Sequence, residues 1–137
     1  LERFCWQYHW HDREYGTFDG FLSALRAPRR QRIRRELREL EAQGVAITYR
    51  RGGEADVARM ARLYADTWSR HGPGEPVLTR EFFMELGRRC AEDVWFGIAS
   101  RGDEVVGMTL NTVLGEAMFG RWWGWSYGFC SKWQAES

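Results

Sequence analysis

With 137 residues, 44% of them hydrophobic, and eight Trp, the chain has enough apolar material for one sizeable core and is not disordered in composition. A formal net charge of +1 makes no global case for nucleic acid or membrane, although every basic residue except Lys132 is Arg. Cys5, Cys90 and Cys130 are too few and too scattered for a disulfide framework and fit a reducing cytoplasm, and no apolar run approaches a membrane span or a signal peptide.

The first patterned stretch, Phe4 to His11, alternates aromatic with other residues. That period predicts a strand with Phe4, Trp6, Tyr8 and Trp10 toward the core and Cys5, Gln7, His9 and His11 on the other face. Cys5, His9 and His11 have zinc-ligand chemistry, but no second Cys pair or His-x3-His partner follows, so a polar strand face is the preferred reading and no metal is expected. Thr17 is placed to cap a short helix with Phe18, Phe21, Leu22 and Leu25 as its apolar stripe. Pro28 suits the first turn of a second helix reaching about Gln43 and closed by Gly44, with Ile33, Leu37 and Leu40 as its buried stripe.

Arginines crowd this second helix. Arg32 with Glu36 and Arg35 with Glu39 form i,i+4 pairs of a solvated face, worth a few tenths of a kcal/mol each. Arg29, Arg30 and Arg34 sit unpaired near the helix start, where backbone N–H groups also favour anions, and are candidate phosphate or RNA contacts.

Val45 to Tyr49 predicts a short strand and Arg51-Gly52-Gly53 a turn. Glu54 to Arg70 then carries Val57, Met60, Ala61, Tyr64 and Trp68 at helical spacing. Asp66 lies opposite that stripe, with Arg62 and Arg70 as default partners. Gly72 to Pro76 forms a flexible loop suited to a substrate entrance. Thr79 caps another helix, with Leu78 and Phe83 as a hydrophobic staple and Phe82, Leu86 and Cys90 continuing inward.

Val94 to Trp125 reads as three β-rich runs separated by glycine-bearing turns at Gly102 and Gly115, an antiparallel meander. In the last run Phe119, Arg121, Trp123 and Trp125 alternate with Met118, Gly120, Trp122 and Gly124. Neither face is purely polar, so coverage on both sides is expected, from the two preceding helices. Arg101-Gly102-Asp103 is a hairpin turn rather than an adhesion tripeptide. The fold class is α+β, organised as 1–44, an N-terminal strand and basic helix, 45–125, the main sheet with its helices, and 126–137, a divergent tail.

The order from Val45 onward (strand, two helices, three strands) is that of the first half of the GNAT superfamily of N-acyltransferases. Gln7-Tyr8-His9-Trp10-His11, Tyr15, Phe18 to Leu22, the Arg29 to Glu36 basic run, Tyr64 to Thr67, Leu78 to Phe83, Asn111 and Phe119 to Gly124 together resemble the FemAB-like family of bacterial N-acyltransferases, labelled peptidoglycan biosynthesis or recognition proteins. The resemblance runs from about Phe4 to Gly124. It implies a cytoplasmic bacterial protein, with residues 45–125 as a GNAT-like half domain, that transfers an acyl or aminoacyl group to an amine such as a peptidoglycan precursor. Family members are longer, with an upstream GNAT-like half and a downstream portion containing a Gln-Gly-Glu-His-Lys type motif, so this chain looks like a piece of such a protein. Asp12 stands where the family tends to have Asn, and Ala27-Pro28 interrupts the approach to the basic helix.

Such transfer needs a general base for the attacking amine and a hydrogen-bond donor for the acyl oxygen. His9 and His11 are the candidate bases. Tyr64, Asp66, Arg121 and Trp122 are candidate substrate contacts. The resemblance implies a donor held along the edge of the strand from Glu116 to Trp125. That donor is acyl-CoA or aminoacyl-tRNA; Arg121-Trp122-Trp123-Gly124-Trp125-Ser126 is a near miss of the pyrophosphate-cradling turn that acyl-CoA requires, and tRNA would use the Arg-rich helix. The alternative, from a different class, is a non-catalytic RNA- or anion-binding module built on Arg29, Arg30, Arg32, Arg34 and Arg35. An unpaired strand edge after Trp125 makes self-association a further expectation.

Overall fold

The computed structural model describes residues 8–128, and of Arg121 only the backbone. The chain forms two compact units, Leu1–Glu39 and Leu40–Ser137.

In the first unit, residues 8–16 are irregular, not a strand; Phe4, Cys5, Trp6 and Gln7 of the expected strand lie outside the described residues. The reason is visible in the rings. Glu14 (φ 59°) and Gly16 (φ 68°) both adopt left-handed backbone. The chain turns so that Trp10 stacks on Tyr15, with centroids 6.1 Å apart, and meets Phe21 edge-on at 5.9 Å. Aromatic alternation here serves a local cluster instead of a sheet.

Helix α1 (Phe18–Ala24) starts where its cap predicts, Thr17 Oγ1 accepting the Gly20 N–H at 3.0 Å. Helix α2 (Ala27–Ala42) follows, and the expected Ile33, Leu37 and Leu40 stripe is not buried, for α2 has no buried residue at all. Polar contacts tie it to α1: Arg34 Nη2 reaches Asp19 Oδ1 at 3.1 Å and Arg30 Nη1 donates to the Leu25 carbonyl at 3.0 Å. The i,i+4 pairs Arg32–Glu36 and Arg35–Glu39 form as expected.

The second unit is one antiparallel sheet in the order β1-β2-β3-β4, with β1 (Val45–Arg51), β2 (Val94–Arg101), β3 (Glu104–Leu114) and β4 (Ala117–Trp125). Tight turns led by Gly102 (φ 56°) and Gly115 (φ 57°) join β2 to β3 and β3 to β4; positive φ at these positions is what glycine supplies without a Cβ penalty. Helices α3 (Glu54–His71) and α4 (Arg80–Arg89) fill the connection from β1 to β2. Thr79 caps α4 by accepting the Phe82 N–H at 3.3 Å. Phe83 turns fully inward while Phe82 stays on the outer rim, a correction to its expected inward placement.

Both helices lie on one side. Val57, Met60, Ala61 and Tyr64 of α3 and Phe83 of α4 pack with Val94, Phe96, Ile98, Met108 and Leu110 of the sheet. The opposite face carries Ile47, Tyr49, Trp123 and Trp125, so the expectation that these two helices would cover both sides does not hold. The face assignment in β4 also changes midway. Leu110 pairs with Trp122 but Asn111 with Gly120, which makes Arg121 the extra residue of a β-bulge. Past it the alternation inverts, and Met118 and Gly120, not Phe119, continue the face of Trp123 and Trp125.

The start of α3 is fastened to β1 by a buried carboxylate. Asp56 accepts Arg50 Nε at 3.0 Å and Nη2 at 2.7 Å, with Arg59 at 3.5 Å. Asp56 is buried whereas Arg50 is half in water, so the two partners are not equivalent. Arg50→Ala leaves the carboxylate desolvated and is expected to cost about 1–3 kcal/mol. Urea denaturation measures it, and a cost below about 0.5 kcal/mol would assign the fork the small value of a surface pair. On α4, hydrogen bonds from Arg88 and Arg89 hold the Glu85 carboxyl down at about 2. That contribution is complete above the ordinary carboxylate range and fades as pH falls toward 2.

Candidate functional site

The second half of α3 and the end of β4 enclose an open groove of about 290 Å³. Tyr64, Thr67, Trp68 and His71 line one wall, Trp122 and Trp123 the other, and Gly72-Pro73 closes one end. The helical wall follows from sequence spacing, since i, i+3, i+4 and i+7 share one face. Trp68 Nε1 donates to the Gly74 carbonyl at 3.2 Å, which pins the loop beside the groove.

Helix and strand approach closely because position 124 has no side chain. A Cβ on Gly124 would lie 2.5 Å from the Leu63 carbonyl carbon and 2.8 Å from the Tyr64 nitrogen. The contact is backbone against backbone. It is locked by Thr67, whose Oγ1 donates to the Leu63 carbonyl at 2.9 Å and accepts the Trp125 N–H at 3.4 Å.

The ladder decides which β4 groups remain available. Ser126 N–H donates to the Val106 carbonyl, so Gly124 and Trp122, at two-residue steps, also face β3. Trp123 and Trp125 therefore direct their N–H and C=O groups to the outer edge. Thr67 takes the Trp125 N–H. The Trp123 N–H and C=O are left at the edge, beside the groove that Trp123 helps to line.

Of the residues singled out from sequence, Tyr64 and Trp122 come together in this groove. Asp66 is exposed outside its lining, and its default partner Arg70 instead lies over the Tyr127 ring at 4.4 Å from the centroid. The side chain of Arg121 lies outside the described ones. The segment Arg121 to Trp125 belongs to β4, so it is a bulged strand and not a pyrophosphate-cradling turn. His9 and His11 are exposed in irregular chain of the first unit. Arg29, Arg30 and Arg34 lie on α2, where Arg30 and Arg34 already have partners. Arg32 and Arg35 are in the expected exposed ion pairs with Glu36 and Glu39.

Sequence reasoning missed Thr67, His71 and Trp123 as groove residues. Thr67 and His71 continue the stripe of Tyr64 and Trp68, but as polar residues they do not register as part of an apolar face.

The match to known proteins bears on this geometry. A family model, FemAB-like, described as peptidoglycan biosynthesis/recognition, matches residues 1–129. The chain belongs to the FemAB-like family. Membership ties it to peptidoglycan-related function, and among the described residues of this FemAB-like chain no helix is long and apolar enough to cross a membrane. No match was found among curated proteins.

Proposed function

We propose that this FemAB-like chain is part of an N-acyltransferase of GNAT-like architecture that transfers an acyl or aminoacyl group to an amine of a peptidoglycan precursor. The observation that carries the reading is the open edge of β4 at Trp123 beside an aromatic groove. A backbone N–H on a rigid strand is a preorganised donor for a carbonyl oxygen, whether of a coenzyme A thioester or of an aminoacyl-tRNA ester. Tyr64, Trp68 and Trp122 supply apolar walls that hold the donor and keep water from the reacting carbonyl.

In this reading the amine attacks the donor carbonyl carbon, the carbonyl electrons move to the oxygen held by Trp123 N–H, and the thiolate or ribose oxygen leaves when the tetrahedral intermediate collapses. The amine loses a proton on the way. We assign its removal to His71, which lines the groove.

Proline tests the strand edge directly. At an outward-facing edge position it removes the N–H without breaking the β3–β4 ladder. Trp123→Pro is expected to weaken donor binding about 3- to 10-fold relative to Trp123→Ala, the value of one hydrogen bond. Calorimetric titration of the full-length protein with acyl-CoA and with aminoacyl-tRNA measures this. Equal affinities for the two variants with both donors would remove the edge from the mechanism.

A further inference from the structure

The first unit holds a second cavity that the transfer reading does not use, about 570 Å³ and open to solvent. Four rings border it: Trp10, Tyr15, Phe18 and Phe21. They are mutually ordered, Trp10 stacked on Tyr15 and Phe21 edge-on to both, at 5.9 Å from Trp10 and 5.5 Å from Tyr15. Yet they do not form an ordinary core. Trp10 is 64% and Phe18 55% exposed, and Leu22 alone is buried among the described residues of this unit. Among the described residues, the single charged side chain on the lining is Asp12, whose Oδ1 accepts the Tyr15 N–H at 3.4 Å, which fixes the carboxylate at the rim beside the rings.

Exposed ring faces carry negative quadrupole potential, and a carboxylate adds a full negative charge. Among the described residues, no Arg, Lys or His side chain lines the cavity to oppose them. An anion or a neutral polar group would meet the wrong sign of potential, and a plain hydrocarbon would gain nothing from Asp12. We infer that the cavity bordered by Trp10, Tyr15, Phe18, Phe21 and Asp12 binds an alkylammonium group, seated on the ring faces with its charge toward Asp12. The site holds a charged nitrogen. It is an anchor for an amine-bearing ligand, not a place where an amine is deprotonated, and the inference does not rest on the transferase reading.

Calorimetric titration with pentylammonium, pentyltrimethylammonium and the neutral 1-pentanol tests it on the full chain. Both cations are expected to bind, with pentanol at least about 5-fold weaker. A preference for the primary ion identifies the Asp12 hydrogen bond as the larger contribution, and a preference for the quaternary ion identifies the rings; either supports the site. Asp12→Asn should narrow the gap between cation and alcohol, Trp10→Ala should weaken both cations about 10-fold, and Trp10→Tyr should retain them. Pentanol binding as well as the cations, no binding by any of the three, or cation binding unchanged in Trp10→Ala would each overturn the inference. Loss of transferase activity with cation binding intact would count against the transfer reading alone.

Discussion

Phe83→Ala is expected to destabilise the protein by about 3–5 kcal/mol, the largest effect of any single truncation in the sheet-bearing unit. Phe83 is fully buried on α4 and joins three elements: its ring lies 5.3 Å from Tyr64 on α3 and 6.4 Å from Trp122 on β4, centroid to centroid. Truncation removes apolar area from the core and leaves a cavity that backbone of three different elements would have to move to fill. The same two neighbours form walls of the groove, so the variant should loosen the site as well as the fold. Urea denaturation gives the free energy; Phe83→Leu, which keeps most of the volume, should cost under about 2 kcal/mol. A cost below about 1 kcal/mol for alanine would mean that the α3–α4–β4 junction is not packed as described.

Gly124→Ala is expected to cost about 2–3 kcal/mol although it adds a single methyl group to a strand, where alanine is ordinarily better than glycine. The added Cβ meets Leu63 and Tyr64 backbone atoms at 2.5–2.8 Å, and a helix backbone cannot yield as a flexible side chain can. α3 must lift from β4. That breaks the Thr67 contact to the Trp125 N–H and widens the groove, so donor binding should fall together with the melting temperature. Gly120→Ala in the same strand is the control: its Cβ would meet only Asn111 Oδ1, at 3.1 Å, and the change should be nearly neutral. Equal stability of the two variants would contradict the close approach at position 124.

Local signals explain which parts of this structure are legible in the sequence. Thr17 and Thr79 announce their helices because a capping hydroxyl acts within three residues of itself. Gly102 and Gly115 announce their turns because positive φ is a local demand. Val57, Met60, Ala61 and Tyr64 give α3 because one face of a helix meets one core. What escaped is set by distant partners. Arg30 and Arg34 look free along α2, and only tertiary structure supplies the Leu25 carbonyl and Asp19. Trp123 and Trp125 look as though a helix covers them because alternation does not say that α3 and α4 pack on the same side of the sheet. A one-residue bulge at Arg121 leaves no trace in the alternation until the register is known.

For the site, Tyr64 and Trp122 were legible as aromatic candidates within a recognisable family pattern. Trp123 was not, because its contribution is a backbone N–H whose direction depends on the β3–β4 pairing, and a sequence carries no mark of which main-chain groups remain unpaired. His71 was overshadowed by His9 and His11, whose alternation suggested a strand that the described chain does not form.

The most direct measurement is turnover by the full-length protein, with acyl-CoA or aminoacyl-tRNA as donor and a peptidoglycan-precursor peptide bearing a free amine as acceptor. Mass spectrometry of the acceptor reads the product. With one of the two donors the acceptor should gain the mass of the acyl or aminoacyl group, and Trp123→Pro should lower kcat/KM about 10-fold or more below Trp123→Ala at equal melting temperature. Absence of product with both donors, or equal kcat/KM for the two variants, would contradict acyl transfer at the β4 edge.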